Sequence, residues 1–129
     1  MKRVLVDSSV WISFFKDRDA HPELTGLIET NQICTNNLIL AELIPFLKMK
    51  NQNVVIESLL TLPNIPLTIH WNSIIDLQIH NLRNGANKVG IPDLIVVDHV
   101  VTNGLILYSE DRHFSLMQKY IHFELLQTN

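Results

Sequence analysis

Cysteine is nearly absent: Cys34 is the single one in 129 residues. No internal disulfide can form, which fits a reducing, cytoplasmic setting. Glycine numbers only four and proline five. That composition excludes collagen-like and linker-like chains, and neither G-x-G-x-x-G nor a Walker sequence is there to cradle phosphate. Apolar runs fall short of the roughly 18–20 residues that span a bilayer, so no membrane association is expected. The opening residues reach Asp7 too early for a secretory h-region. Basic residues are in deficit, with 10 Lys and Arg against 13 Asp and Glu and a net charge of −3. A broad basic surface that grips phosphate is therefore missing. Nucleic acid stays open as a substrate if bound cations supply positive charge locally. The six histidines lack HExxH or Cys/His spacing, and no G-x-S-x-G elbow marks a serine hydrolase.

What is present is a globular composition, 47% hydrophobic and 18% charged. It suits one compact domain over residues 1–129. Short apolar runs alternate with longer helical patterns. Val4-Leu5-Val6, Gln32–Thr35, Ile65–Ile69, Leu105–Tyr108 and Phe123–Leu126 read as strands, with Pro66 marking the third as an edge. Helices are expected after Ser8 or Ser9, after His21-Pro22, over about Leu38–Lys48, Asn53–Leu62, Trp71–Arg83 and Pro92–Thr102, and briefly around Phe114–Lys119. Pro45 should kink the third of these or begin its last turn. Strands alternating with helices imply an α/β fold, a mostly parallel central sheet flanked by helices on both faces.

Five of the 13 acids are out of place for a solvated surface. Asp7 directly follows the first strand, and in open parallel sheets ligands bind beyond the carboxyl ends of strands. Glu42 has Leu38, Ile39, Pro45 and Phe46 as its helical neighbours, so its charge needs a partner, a proton or a cation. Asp93 opens the helix begun by Pro92, where the helix dipole favours it in any case. Asp98 lies five residues on, about 140° around the helix, and cannot share a pocket squarely with Asp93. It reads as a supporting or structural carboxylate. Asp111 follows the strand Leu105–Tyr108, and spacing alone does not separate it from Glu110. Carboxylates gathered without matching Lys or Arg repel one another unless a cation is present. Oxygen-only ligands favour Mg²⁺ or Mn²⁺, and such sites commonly do phosphoryl chemistry.

Four segments then resemble the motifs of PIN-domain ribonucleases, especially the VapC toxins of toxin–antitoxin pairs. They are Val4-Leu5-Val6-Asp7-Ser8-Ser9-Val10-Trp11-Ile12, Leu40-Ala41-Glu42-Leu43, Pro92-Asp93-Leu94-Ile95-Val96-Val97 and Ser109-Glu110-Asp111-Arg112-His113-Phe114. The last pattern, Ser/Thr, any residue, Asp, then Phe three on, selects Asp111 over Glu110. The resemblance implies a PIN fold, a Mg²⁺/Mn²⁺-dependent endoribonuclease, a homodimer and a cognate antitoxin that occludes the site. By the same resemblance Asp7, Asp93 and Asp111 would hold the metal, with Glu42 as a further catalytic group, a ligand or the orienter of the attacking water. Ser9 and Ser109 would fix the carboxylates by hydrogen bonds. Arg112 and His113 are candidate phosphate contacts or ordinary polar loop residues. A haloacid-dehalogenase-type phosphatase would need a second Asp where Ser9 stands. The remaining alternative is a non-catalytic module that keeps the fold as a protein-binding surface, although unused buried carboxylates would burden its stability. With the four site acids offset by metal, 10 basic residues face 9 acidic ones. Such a nearly neutral surface suits transient RNA cleavage more than tight binding.

Overall fold

The apolar trio Val4–Val6 forms the first strand, β1, in the computed structural model, which describes residues 2–127. Successive side chains of a strand point to opposite faces. All three are nonetheless buried, at 3%, 0% and 0% exposure, so both faces of the sheet are covered. The chain continues through α1 (Ser8–Lys16), a 3-10 turn at Arg18–Ala20, α2 (Pro22–Glu29) and β2 (Ile33–Cys34). Helices α3 (Asn37–Met49), α4 (Asn53–Leu60), α5 (Trp71–Arg83) and α6 (Ile91–Asn103) follow. β3 (Ile106–Tyr108), α7 (Arg112–Met117) and β4 (Glu124–Leu126) complete the described order. None of the described helices is long and apolar enough to cross a membrane.

Local chemistry explains the boundaries. The Asn36 side chain accepts the Ile39 N–H at 2.8 Å and caps α3. Pro92 sits in the first turn of α6, where no intrahelical donor is lost, and Gly104 ends that helix in the left-handed region at φ 60°. Pro45 does not interrupt α3, which runs on to Met49 with the ring on the exposed side. Cys34 is buried in β2, and burial pushes its thiol up to about 11.

The sheet is parallel throughout the described strands, in the order β2-β1-β3-β4. One expected strand is corrected. Residues 65–69 form no strand, and only an isolated bridge joins Thr35 to Asn64. Thr35 N–H donates to Pro63 O at 2.9 Å and Ile65 N–H to Thr35 O at 2.9 Å. The ladder goes no further forward because the chain after Thr35 turns at the Asn36 cap into α3, and Pro63 has no N–H to extend it backward.

The order has a functional consequence. Winding proceeds from β1 to β2 on one side and resumes at β3 on the other, so it reverses between β1 and β3. A crevice opens at the carboxyl ends of strands at such a switch point. Register aligns the two ends, with Val6 opposite Tyr108. Asp7 N–H donates to Tyr108 O at 2.9 Å. Asp7 and Ser109 therefore leave the sheet side by side.

Candidate active site

Asp7 occupies the N-cap position of α1, yet its side chain makes no capping bond. Its Oδ2 instead accepts from Ser9 Oγ at 2.7 Å and from Ser109 Oγ at 2.9 Å. The hydroxyls are themselves held: Glu110 N–H donates to Ser9 Oγ at 3.3 Å, and Asp111 N–H donates to Ser109 Oγ at 3.0 Å. The two serines tie the end of β1 to the loop after β3. Asp7 is 7% exposed, so its orientation is fixed by packing as well as by hydrogen bonds.

Asp111 caps α7, its Oδ1 accepting the His113 N–H at 2.9 Å. A capped residue two positions into a helix must lie beside the capping carboxylate. The cap sets the His113 backbone there, and its ring turns toward Asp93. Its Nδ1 lies 3.1 Å from Asp93 Oδ2 and 3.5 Å from Asp111 Oδ1. Donor atoms of Asp93, Asp111 and His113 all fall within 4.8 Å of one another, close enough to hold a metal ion. From the sequence His113 was a loop residue or a phosphate contact. The signal that finds it is the Asp N-cap two residues before it.

Glu42 corrects an expectation as well. Helix α3 buries Ile39, Leu40, Leu43 and Leu47, whereas Glu42 stands exposed at their edge. No Lys or Arg pairs with it among the described residues. Partial loss of hydration holds its carboxyl above the ordinary range, and the charges of Asp7, Asp93 and Asp111 add to the effect. Asp93 is raised too, chiefly by burial and also by the charges of Asp111 and Asp7, against lowering by its bond to His113. These mutual effects place Glu42 in the same electrostatic neighbourhood as the three aspartates.

The other acids diverge. Asp98 is buried and turns to α5's N-terminus, its Oδ2 2.8 Å from His70 Nδ1. Glu110 lies 3.6 Å from His21 Nδ1, outside the carboxylate group. Arg112 is exposed and forms no ion pair among the described residues.

The raised carboxyls carry a stability consequence. In the metal-free protein the folded state holds protons on Glu42 and Asp93 more strongly than the unfolded chain does. Stability therefore falls as pH rises from the unfolded values through the raised folded ones. Glu42→Gln should melt above wild type at neutral pH without metal, and the gain should vanish below about pH 4. Thermal melts across that range, with and without Mg²⁺, check this; a variant that melts lower at neutral pH would contradict it.

Fold and site together define a parallel α/β domain with a carboxylate cleft at its topological switch point. The PIN domain family model matches residues 4–120. The chain belongs to the PIN domain family. Its fold is also similar to that of a VapBC from Salmonella typhimurium, solved bound to DNA. The TM-score is 0.77 at 18% identity, over 100% of both chains. A VapBC-1 from nontypeable Haemophilus influenzae aligns with a TM-score of 0.65 at 16% identity, covering 96% of each chain. A toxin–antitoxin complex from Klebsiella pneumoniae gives 0.62 at 18%, over 84% of this chain and 86% of that one. No curated protein matches the sequence.

Proposed function

We propose that this protein is the toxin of a toxin–antitoxin pair and acts as a metal-dependent endoribonuclease that hydrolyses RNA phosphodiester bonds. The observation that carries the reading is the gathering of Asp7, Asp93 and Asp111 beside Glu42 at the switch point, with no Lys or Arg paired to any of them among the described residues. A cation is what such a group lacks. Asp7, Asp93 and Asp111 would hold Mg²⁺ or Mn²⁺, whose preference for hard oxygen ligands suits three carboxylates; Asp93 and Asp111, with His113 beside them, already bring donor atoms within 4.8 Å of one another. Bound there, the ion supplies Lewis-acid activation of water and neutralises charge on the phosphate.

The chain's own groups have separable tasks. Ser9 and Ser109 occupy Oδ2 of Asp7, so Oδ1 is left without a hydrogen bond among the described residues. Asp111 is held from the other side by its cap bond to His113 N–H. Glu42, with its raised carboxyl, accepts a proton from the attacking water at its side-chain oxygens.

An antitoxin partner is supported by the fold's likeness to VapBC complexes and by a groove that contains none of these carboxylates. The groove, about 620 Å³, is lined by Trp11, Phe14 and Phe15 of α1, Ile28 of α2 and Val54 and Val55 of α4, among others. Aromatic and aliphatic walls of this kind suit an apolar helix or strand of a partner. A homodimer is part of the proposal. Trp71, Ile75 and Leu82 are exposed along one side of α5 and offer a face for it.

Purified protein should cleave a mixed RNA pool with Mg²⁺ or Mn²⁺ and stop cleaving in EDTA. Expression should arrest growth, and Asp93→Asn should relieve the arrest. Absence of cleavage with either ion would leave the protein-binding reading in its place.

A further inference from the structure

We propose that His113 is a metal ligand through a ring nitrogen, which turns the carboxylate site into a mixed oxygen–nitrogen site and shifts its preference from Mg²⁺ toward Mn²⁺. The inference deepens the proposed reading of this site and rests on its metal.

The distances carry the argument. Neighbouring ligands on an octahedral ion with bonds of about 2.1 Å stand roughly 3 Å apart. His113 Nδ1 is 3.1 Å from Asp93 Oδ2 and 3.5 Å from Asp111 Oδ1. The three donor atoms, none more than 4.8 Å from another, span what one coordination sphere spans. The ring reaches this place because the His113 N–H is bonded to Asp111 Oδ1 at 2.9 Å, which holds the first turn of α7 against the carboxylate. Two segments converge here: the start of α6 with Asp93, and the capped start of α7 with Asp111 and His113. Glu110, the neighbouring acid, is drawn to His21 instead and does not compete.

The donor chemistry gives the consequence. Mg²⁺ takes oxygen ligands and sheds water reluctantly, whereas first-row transition ions accept imidazole readily. A nitrogen in the set therefore adds more to Mn²⁺ binding than to Mg²⁺ binding. The substitution His113→Asp would put an oxygen donor in that place and remove the distinction.

The test uses the full chain and Mn²⁺ itself. Pulsed electron paramagnetic resonance of bound Mn²⁺ should show hyperfine coupling to a directly coordinated nitrogen, absent from His113→Ala and His113→Asp. Calorimetric competition should show the Mn²⁺ over Mg²⁺ preference falling about tenfold in His113→Asp. Melting curves of both variants establish that they fold. Mn²⁺ bound by wild type without nitrogen coupling would overturn the proposal and leave the nuclease reading standing if Mg²⁺ still supports RNA cleavage. Failure of wild type to bind either ion would overturn both.

Discussion

Asp7→Asn is expected to lower metal-dependent RNA cleavage about 1000-fold while leaving the fold intact, since loss of charge stabilisation worth several kcal/mol corresponds to that factor. The substitution separates charge from geometry. An amide oxygen can still accept from Ser9 Oγ and Ser109 Oγ, the two bonds that fix Asp7 at 2.7 and 2.9 Å. What disappears is one negative charge at the end of β1, where Glu42 and Asp93 feel it most directly. Mn²⁺ affinity should fall with the rate, and the melting temperature of the metal-free protein should hold or rise. Asp7→Ala provides the contrast. It leaves the hydroxyl of Ser109, 0% exposed, without its acceptor, at a cost of about 1–3 kcal/mol. Rates from single-turnover cleavage and melts of both variants distinguish the two effects. Cleavage by Asp7→Asn within a few-fold of wild type would remove Asp7 from the chemistry.

Much of this arrangement was legible where a local rule decides the structure. Val4–Val6 reads as a strand buried on both faces, because three consecutive β-branched or aliphatic residues leave no polar side. Pro92 and Gly104 bracketed α6 through backbone chemistry alone. The helical angle between Asp93 and Asp98 separated them, and Asp98 turns to His70. Where several elements decide together, legibility failed. Ile65–Ile69 has the composition of an edge strand, yet pairing stops at a single bridge to Thr35, because the chain beyond Thr35 turns at the Asn36 cap into α3 and leaves no strand to pair with. Glu42 has apolar neighbours along its helix, but helix periodicity does not say that α3 turns this residue to the rim. For His113 the Asp111 cap two residues before it reports its place beside that carboxylate, but not the meeting with Asp93 at the start of α6. Asp111 and Glu110 are adjacent in sequence and part company because Asp111 caps α7, whereas Glu110 faces His21.

Leu107→Ala should be the most damaging single change to stability, lowering the melting temperature by roughly 10–15 °C. Leu107 is fully buried at the centre of β3, paired with Leu5 of β1 on one side and Leu125 of β4 on the other. Truncating a leucine in such a position costs about 2–5 kcal/mol, because the surrounding side chains relax only partly into the space left. A domain of this size has about 5–15 kcal/mol in total. The strand cannot readily close the gap, since its backbone is hydrogen-bonded to both neighbours. The effect has the opposite sign to that of Glu42→Gln. Core and cleft therefore oppose each other: β1 and β3 spend their apolar residues on a rigid sheet, and that rigidity holds repelling carboxylates together at the strand ends. Folded Leu107→Ala, assayed well below its melting point, should keep most of its cleavage rate, because Ser109 and Asp111 are positioned by hydrogen bonds rather than by the leucine. A melting temperature within about 3 °C of wild type would show that β3 is not the structural centre on which the site depends.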